Sequence, residues 1–141
     1  MSFHDLPAGW PARPVNDPTI ATDVIDLLVS SQGRADGCLT ILLCDPHGLL
    51  EQPVCVTGLA QVVVDPPEQR HILTMMTEMV EEGSFAVALG RPSGARTTDA
   101  DRSWHESALA VAREQGVPLL GCYVATADGV WELPVPLVAT G

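Results

Sequence analysis

The side chains most able to do chemistry gather in the second half of the chain, at Arg91, Ser93, Arg96, Asp101 and His105. Asp101 and His105 are four residues apart, which puts both on one face of a helix. A carboxylate orienting an imidazole, with Ser93 as nucleophile, would make a hydrolytic triad. A plainer reading is preferred, in which Asp101 caps a helix, His105 packs at its flank and Pro92-Ser93-Gly94 turns the chain. No G-x-S-x-G elbow surrounds Ser93. Arg91 and Arg96 flank the same helix start. Together with Ser93 they could hold a carboxylate or phosphate against free backbone N–H groups. The competing and favoured role for Arg91 is an internal ion pair with Asp99 or Asp101.

Three further groups have weaker claims. Cys44-x-x-His47, with Cys38 and Cys55 near it, resembles half a zinc knuckle. Cys38 and Cys44 are an even number of residues apart, however, so on a strand they share a face and join the core. Met75, Met76 and Met79 read as core filler on a helix. Glu81-Glu82 reads as a solvated helix end.

Composition narrows the function classes. The chain has 141 residues and 46% hydrophobic side chains, enough for one domain with a real core. All seven basic residues are Arg, against 18 acidic ones, for a net charge of −11. The absence of Lys excludes Schiff-base and lysine general-base catalysis. The acidic field opposes binding to nucleic acid. Pro7, Pro11 and Pro14 break the N-terminal stretch, which does not read as a signal peptide, and Leu39–Cys44 is strand-sized rather than membrane-spanning. The expected setting is the cytoplasm, with reduced thiols packed as small hydrophobes.

The elements that must position these residues follow from periodicity. Residues 1–16 read as an extended arm pinned by Trp10. Asn16-Asp17-Pro18 then starts a helix over 18–31, carried by Ile20, Val24, Leu27 and Leu28. A buried strand over 38–44 turns at 45–48 into a second strand over 49–57, with a short third one at 61–64. A helix spans 66–82 on Ile72, Met75, Met76, Met79 and Val80. An uncharged, central strand follows at 84–89. Thr98 or Asp99 caps a helix closed by Gly116-Val117-Pro118, and strands at 119–126 and 130–133 form a hairpin over Asp128-Gly129. The expected fold class is α/β, a three-layer sandwich with a mixed central sheet flanked by helices. Its single domain covers 17–133, followed by a tail over 134–141. No G-x-G-x-x-G or Walker sequence follows a strand.

The run Ala88-Leu89-Gly90-Arg91-Pro92-Ser93-Gly94-Ala95-Arg96-Thr97-Thr98-Asp99-Ala100-Asp101 resembles the metal loop of RadC-like proteins in the JAB/MPN metalloprotease family. That family carries H-x-H-P-S-G and then S-x-x-D at the next helix start. Here Pro92-Ser93-Gly94 matches the first element, and Thr98-x-x-Asp101 resembles the second, one residue closer. Gly116-Val117-Pro118-Leu119-Leu120 is similar to the family's later G-I-x-L-L stretch. The resemblance implies the cytidine-deaminase-like layout of that family. The positions of its two His ligands fall on Leu89 and Arg91. Leu has no lone pair, and Arg repels a cation, so of three protein ligands only Asp101 remains. Glu51 lies in the region of the family's catalytic Glu, but no motif supports that role. The expectation is therefore a non-catalytic domain with no metal and no cofactor. Its partner would be a protein, a peptide or a second copy of itself, with no nucleic acid and no membrane. The alternatives are a hydrolase built on Ser93, Asp101 and His105, or a small-anion binder using Arg91 and Arg96.

Overall fold

The computed structural model describes residues 6–59, 62–80 and 82–135. Its centre is two uncharged strands, β1 (Cys38–Cys44) and β3 (Ser84–Gly90), buried at every position. Strands covered on both faces need apolar side chains on both, so neither sequence alternates. β1 runs antiparallel to β3, with Leu39 opposite Leu89 and Cys38 opposite Gly90. On its other side β1 pairs antiparallel with the edge strand β2 (Leu50–Thr57). β4 (Leu119–Thr126) runs parallel to β3 and turns into β5 (Gly129–Glu132), giving the order β2-β1-β3-β4-β5. A parallel neighbour requires a crossover, and helix α4 (Asp99–Gln115) supplies it.

The two-residue repeat of the strands divides the core into two layers. Leu39, Ile41, Leu43, Phe85, Val87 and Leu89 face α3 (Pro66–Thr77) and α4, where they meet Leu73, Trp104, Ala108 and Val111. Leu42, Cys44, Ala86 and Ala88 face the other way and meet Val24 and Ile25 of α1 (Ala21–Leu28). The protein is thus an α/β sandwich with a mixed five-stranded sheet between helices, as the sequence predicts. Among the described residues, no helix is long and apolar enough to cross a membrane.

Several boundaries differ from expectation. The helix predicted over 18–31 is two helices, α1 and α2 (Ser31–Asp36). Val29 is buried and extended between them, and the Ser30 hydroxyl accepts from Gly33 N to start the second. Asn16 does not cap the first. Asp17 instead accepts from the backbone N–H and hydroxyl of Thr19, and the helix begins only at Ala21. The helix predicted to reach residue 82 ends at Thr77, whose hydroxyl turns back onto the Thr74 carbonyl. Residue 81 lies outside the described residues. So does residue 61, and 62–64 are not a strand: both sides of β1 are already taken by β2 and β3. Trp10 packs against the α1-side core, and Val15 N bonds the Gly48 carbonyl, so the arm is joined at more than Trp10. Its residues 1–5, and 136–141 of the tail, lie outside the described residues.

Of the three methionines expected in the core, Met76 packs there and two do not. The inward face of α3 is Gln69, Ile72, Leu73, Met76, Thr77 and, just beyond it, Val80. Two of those are polar. Met75 and Met79 lie on the opposite side and are 52% and 56% exposed.

Candidate functional site

β3 ends at Gly90, but Arg91 N still bonds the Ala125 carbonyl of β4 at 3.1 Å. The loop over 92–98 then leads into α4. Its last residue, Thr98, and Asp101 form a capping box: Asp101 N donates to the Thr98 hydroxyl at 3.1 Å, and Thr98 N donates to Asp101 Oδ2 at 2.9 Å. The spacing that resembles S-x-x-D therefore has a complete explanation in helix initiation.

Asp101 has a second duty. Arg91 Nη2 donates to its Oδ2 at 2.9 Å, and Arg91 Nε lies 3.3 Å from Oδ1. The carboxylate is 4% exposed and the guanidinium 21% exposed. Arg91 Nη1 donates to the Ser93 carbonyl, and Nη2 to the Arg96 carbonyl, both at 2.6 Å. The guanidinium also lies 5.7 Å from the ring centre of Trp131. One side chain thus holds the carboxylate at the helix start and two carbonyls of the loop before it. Gly94 has φ +112, and a Cβ there would lie 2.6 Å from Arg91 Nη1, so this position admits only glycine without strain.

The same loop is stitched to the β4–β5 hairpin. Gly94 N donates to Asp128 Oδ2 at 2.7 Å, and the Thr126 hydroxyl donates to the Gly94 carbonyl at 2.7 Å. Trp131 Nε1 donates to the Thr97 hydroxyl at 3.0 Å. Nothing in the sequence marks Asp128, Thr126 and Trp131 as loop anchors beyond the turn at Asp128-Gly129.

Beside the ion pair opens a cleft of about 470 Å³ between the head of α4 and the connector from β2 to α3. Leu59, Val62, Val63, Leu89, Trp104 and the Arg91–Asp101 pair line it. Val62 is 56% and Val63 96% exposed, an unusual position for large apolar side chains. Gln69, also missed in the sequence, anchors the cleft wall. Its carbonyl oxygen accepts from the Ser107 and Ser103 hydroxyls of α4 at 2.6 and 3.1 Å, and its amide donates to the Val64 carbonyl at 3.0 Å.

The remaining candidates are placed as follows. His105 is buried but lines a different cavity, with Thr97, Arg102, Glu106, Leu133 and Pro134. Burial holds its pKa below the ordinary imidazole value, partly offset by Glu106. Asp101 directs its carboxylate to Arg91 and Thr98, and among the described residues neither His105 nor the Ser93 hydroxyl bonds to it. Ser93 and Arg96 are exposed, and both meet Arg91 through their backbone carbonyls. Asp99 pairs with Arg102 instead of Arg91. Cys44 is buried in the α1-side core while His47 is exposed on the turn.

Leu89, Arg91 and Asp101 do not fit a zinc ion. One side chain has no donor atom, one is a cation, and the carboxylate is taken by that cation. Among the described residues, no three His, Cys, Asp or Glu side chains gather where they could hold a metal ion. Compared with known proteins, the chain matches no family model, no curated protein and no solved structure.

Proposed function

We propose that this protein is a non-catalytic, RadC-like domain of the JAB/MPN type that works by binding a protein or peptide. The observation that carries the proposal is the guanidinium of Arg91 seated on Asp101, the one side chain that the resemblance assigns to a metal. An arginine in that place supplies the positive charge permanently and leaves no open coordination position for a water nucleophile. The order of helix, hairpin, helix, strand, helix and hairpin also supports the family reading, with α1 and α2 together standing for the first helix. The cleft beside the pair gives the domain a surface to use. Its apolar wall and the exposed Val62 and Val63 suit an extended polypeptide.

Two measurements test this. Untagged protein purified without chelators should hold zinc and iron at far less than one ion per chain. A photo-crosslinking residue at position 63 should capture a discrete protein adduct in cells, whereas the same residue at 118, away from the cleft, should not. Stoichiometric metal that is lost on Asp101→Ala would overturn the proposal, as would a peptidase activity abolished by that change.

A further inference from the structure

The four cysteines are free, and two of them share a neighbour. The Thr40 hydroxyl donates to Cys55 Sγ at 3.7 Å and lies 3.9 Å from Cys38 Sγ. Register explains the grouping. Thr40 stands opposite Cys55, and Cys38 opposite Thr57, so all four side chains share one face of the β1–β2 ladder. Pro53, opposite Leu42, has no N–H and must occupy a non-hydrogen-bonded position. The two-residue repeat makes Thr40 and Cys55 the same type of pair, in which side chains approach most closely. Cys38 and Cys55 are diagonal neighbours on that face, both thiols are free, and both reach the same hydroxyl.

Two thiols converging on one hydroxyl suit one atom placed between the sulfurs, held by metal–thiolate bonds of about 2.3 Å. Cys38 is held in position: a Cβ on Gly90 would lie 2.5 Å from its sulfur and one on Gly33 3.3 Å, so both glycines leave room for the thiol. Cys55 is exposed and gives the way in. We propose that Cys38 and Cys55 form a two-coordinate site for a single soft monovalent cation of the Cu(I) class. Thiolates select such ions, and with no third His, Cys, Asp or Glu at hand among the described residues, a four-coordinate ion such as zinc is not served. Binding replaces two S–H bonds by two S–Cu bonds, releases two protons and leaves copper in the same oxidation state.

The experiment is an anaerobic titration of the reduced full chain with Cu(I), using bicinchoninate as competitor. The expected result is one ion per chain, with an ultraviolet thiolate-to-copper band. Cys55→Ser should lower the affinity by more than about 100-fold, beyond the effect of changing a supporting contact. Cys38→Ser should do the same, and Cys44→Ser should have no effect. Complete removal of copper by bicinchoninate would overturn the proposal. So would tight binding that survives Cys55→Ser, an exposed change that leaves the fold intact, or equal retention of zinc.

Discussion

Asp101 completes a capping box and neutralises Arg91 with the same oxygen, Oδ2. Replacing either partner strands the other, whereas replacing both is milder. Arg91→Ala should cost about 3–5 kcal/mol, because it leaves a nearly buried carboxylate unpaired. Asp101→Asn keeps an oxygen for the cap and should cost about 1–3 kcal/mol. In urea unfolding the double variant should cost clearly less than the sum. Additivity within about 0.5 kcal/mol would show that the pair is not coupled. Arg91→Lys should not rescue, because one ammonium cannot reach Asp101 and two carbonyls together. A second residue offers the opposite case. The Tyr123 hydroxyl is buried without a hydrogen-bond partner among the described residues. Tyr123→Phe should leave stability unchanged or raise it by up to about 1 kcal/mol, and a clear loss in the same assay would reveal a bond there.

Among the elements, α3 and α4 are joined by Gln69 as well as by apolar contact. Gln69→Ala should cost about 2–4 kcal/mol, since it leaves the buried Ser107 hydroxyl unpaired and opens a hole. Thermal unfolding measures this, and Ser103→Ala, at the longer bond, should cost less. The same residue shows what the sequence could and could not disclose. Uncharged runs announced β1 and β3, and the Thr98 spacing announced the start of α4, because each signal is local. The Arg91–Asp101 pair was also within reach, since two opposite charges ten residues apart flank a single helix start. Gln69 was not, because a polar side chain on an inward face is recognised only once its partners, Ser103 and Ser107, are known. Met75 and Met79 failed for the same reason. Apolar residues at helical spacing name a stripe, but Leu73, Gln69 and Thr77 decide which stripe faces the sheet. The break between α1 and α2 was hidden because Ser30, an ordinary residue, starts a new helix only when Val29 is extended and buried.

For the molecule as a whole, electrostatics are one-sided. Four of the seven arginines, Arg13, Arg34, Arg91 and Arg102, are in ion pairs with aspartates, so little positive charge is left to meet a phosphate backbone. Duplex DNA should show no mobility shift at low salt, and a shift reversed by salt would contradict this. Acid should act partly through His105. Its folded pKa lies below the ordinary imidazole value of about 6.5, so the unfolded chain takes up a proton first. The stability it contributes is present above that value and is lost as pH falls. Urea unfolding should weaken from about pH 7 to 5, less steeply in His105→Gln, and identical slopes would exclude His105 as the cause. The outermost strand sets a different limit. Proline at position 53 interrupts the free N–H groups that β2 turns away from β1. A chain arriving from outside finds a missing rung there, which keeps sheets of separate molecules from zipping into fibrils. Pro53→Thr would restore the rung, and light scattering on storage would then rise where the parent solution stays clear.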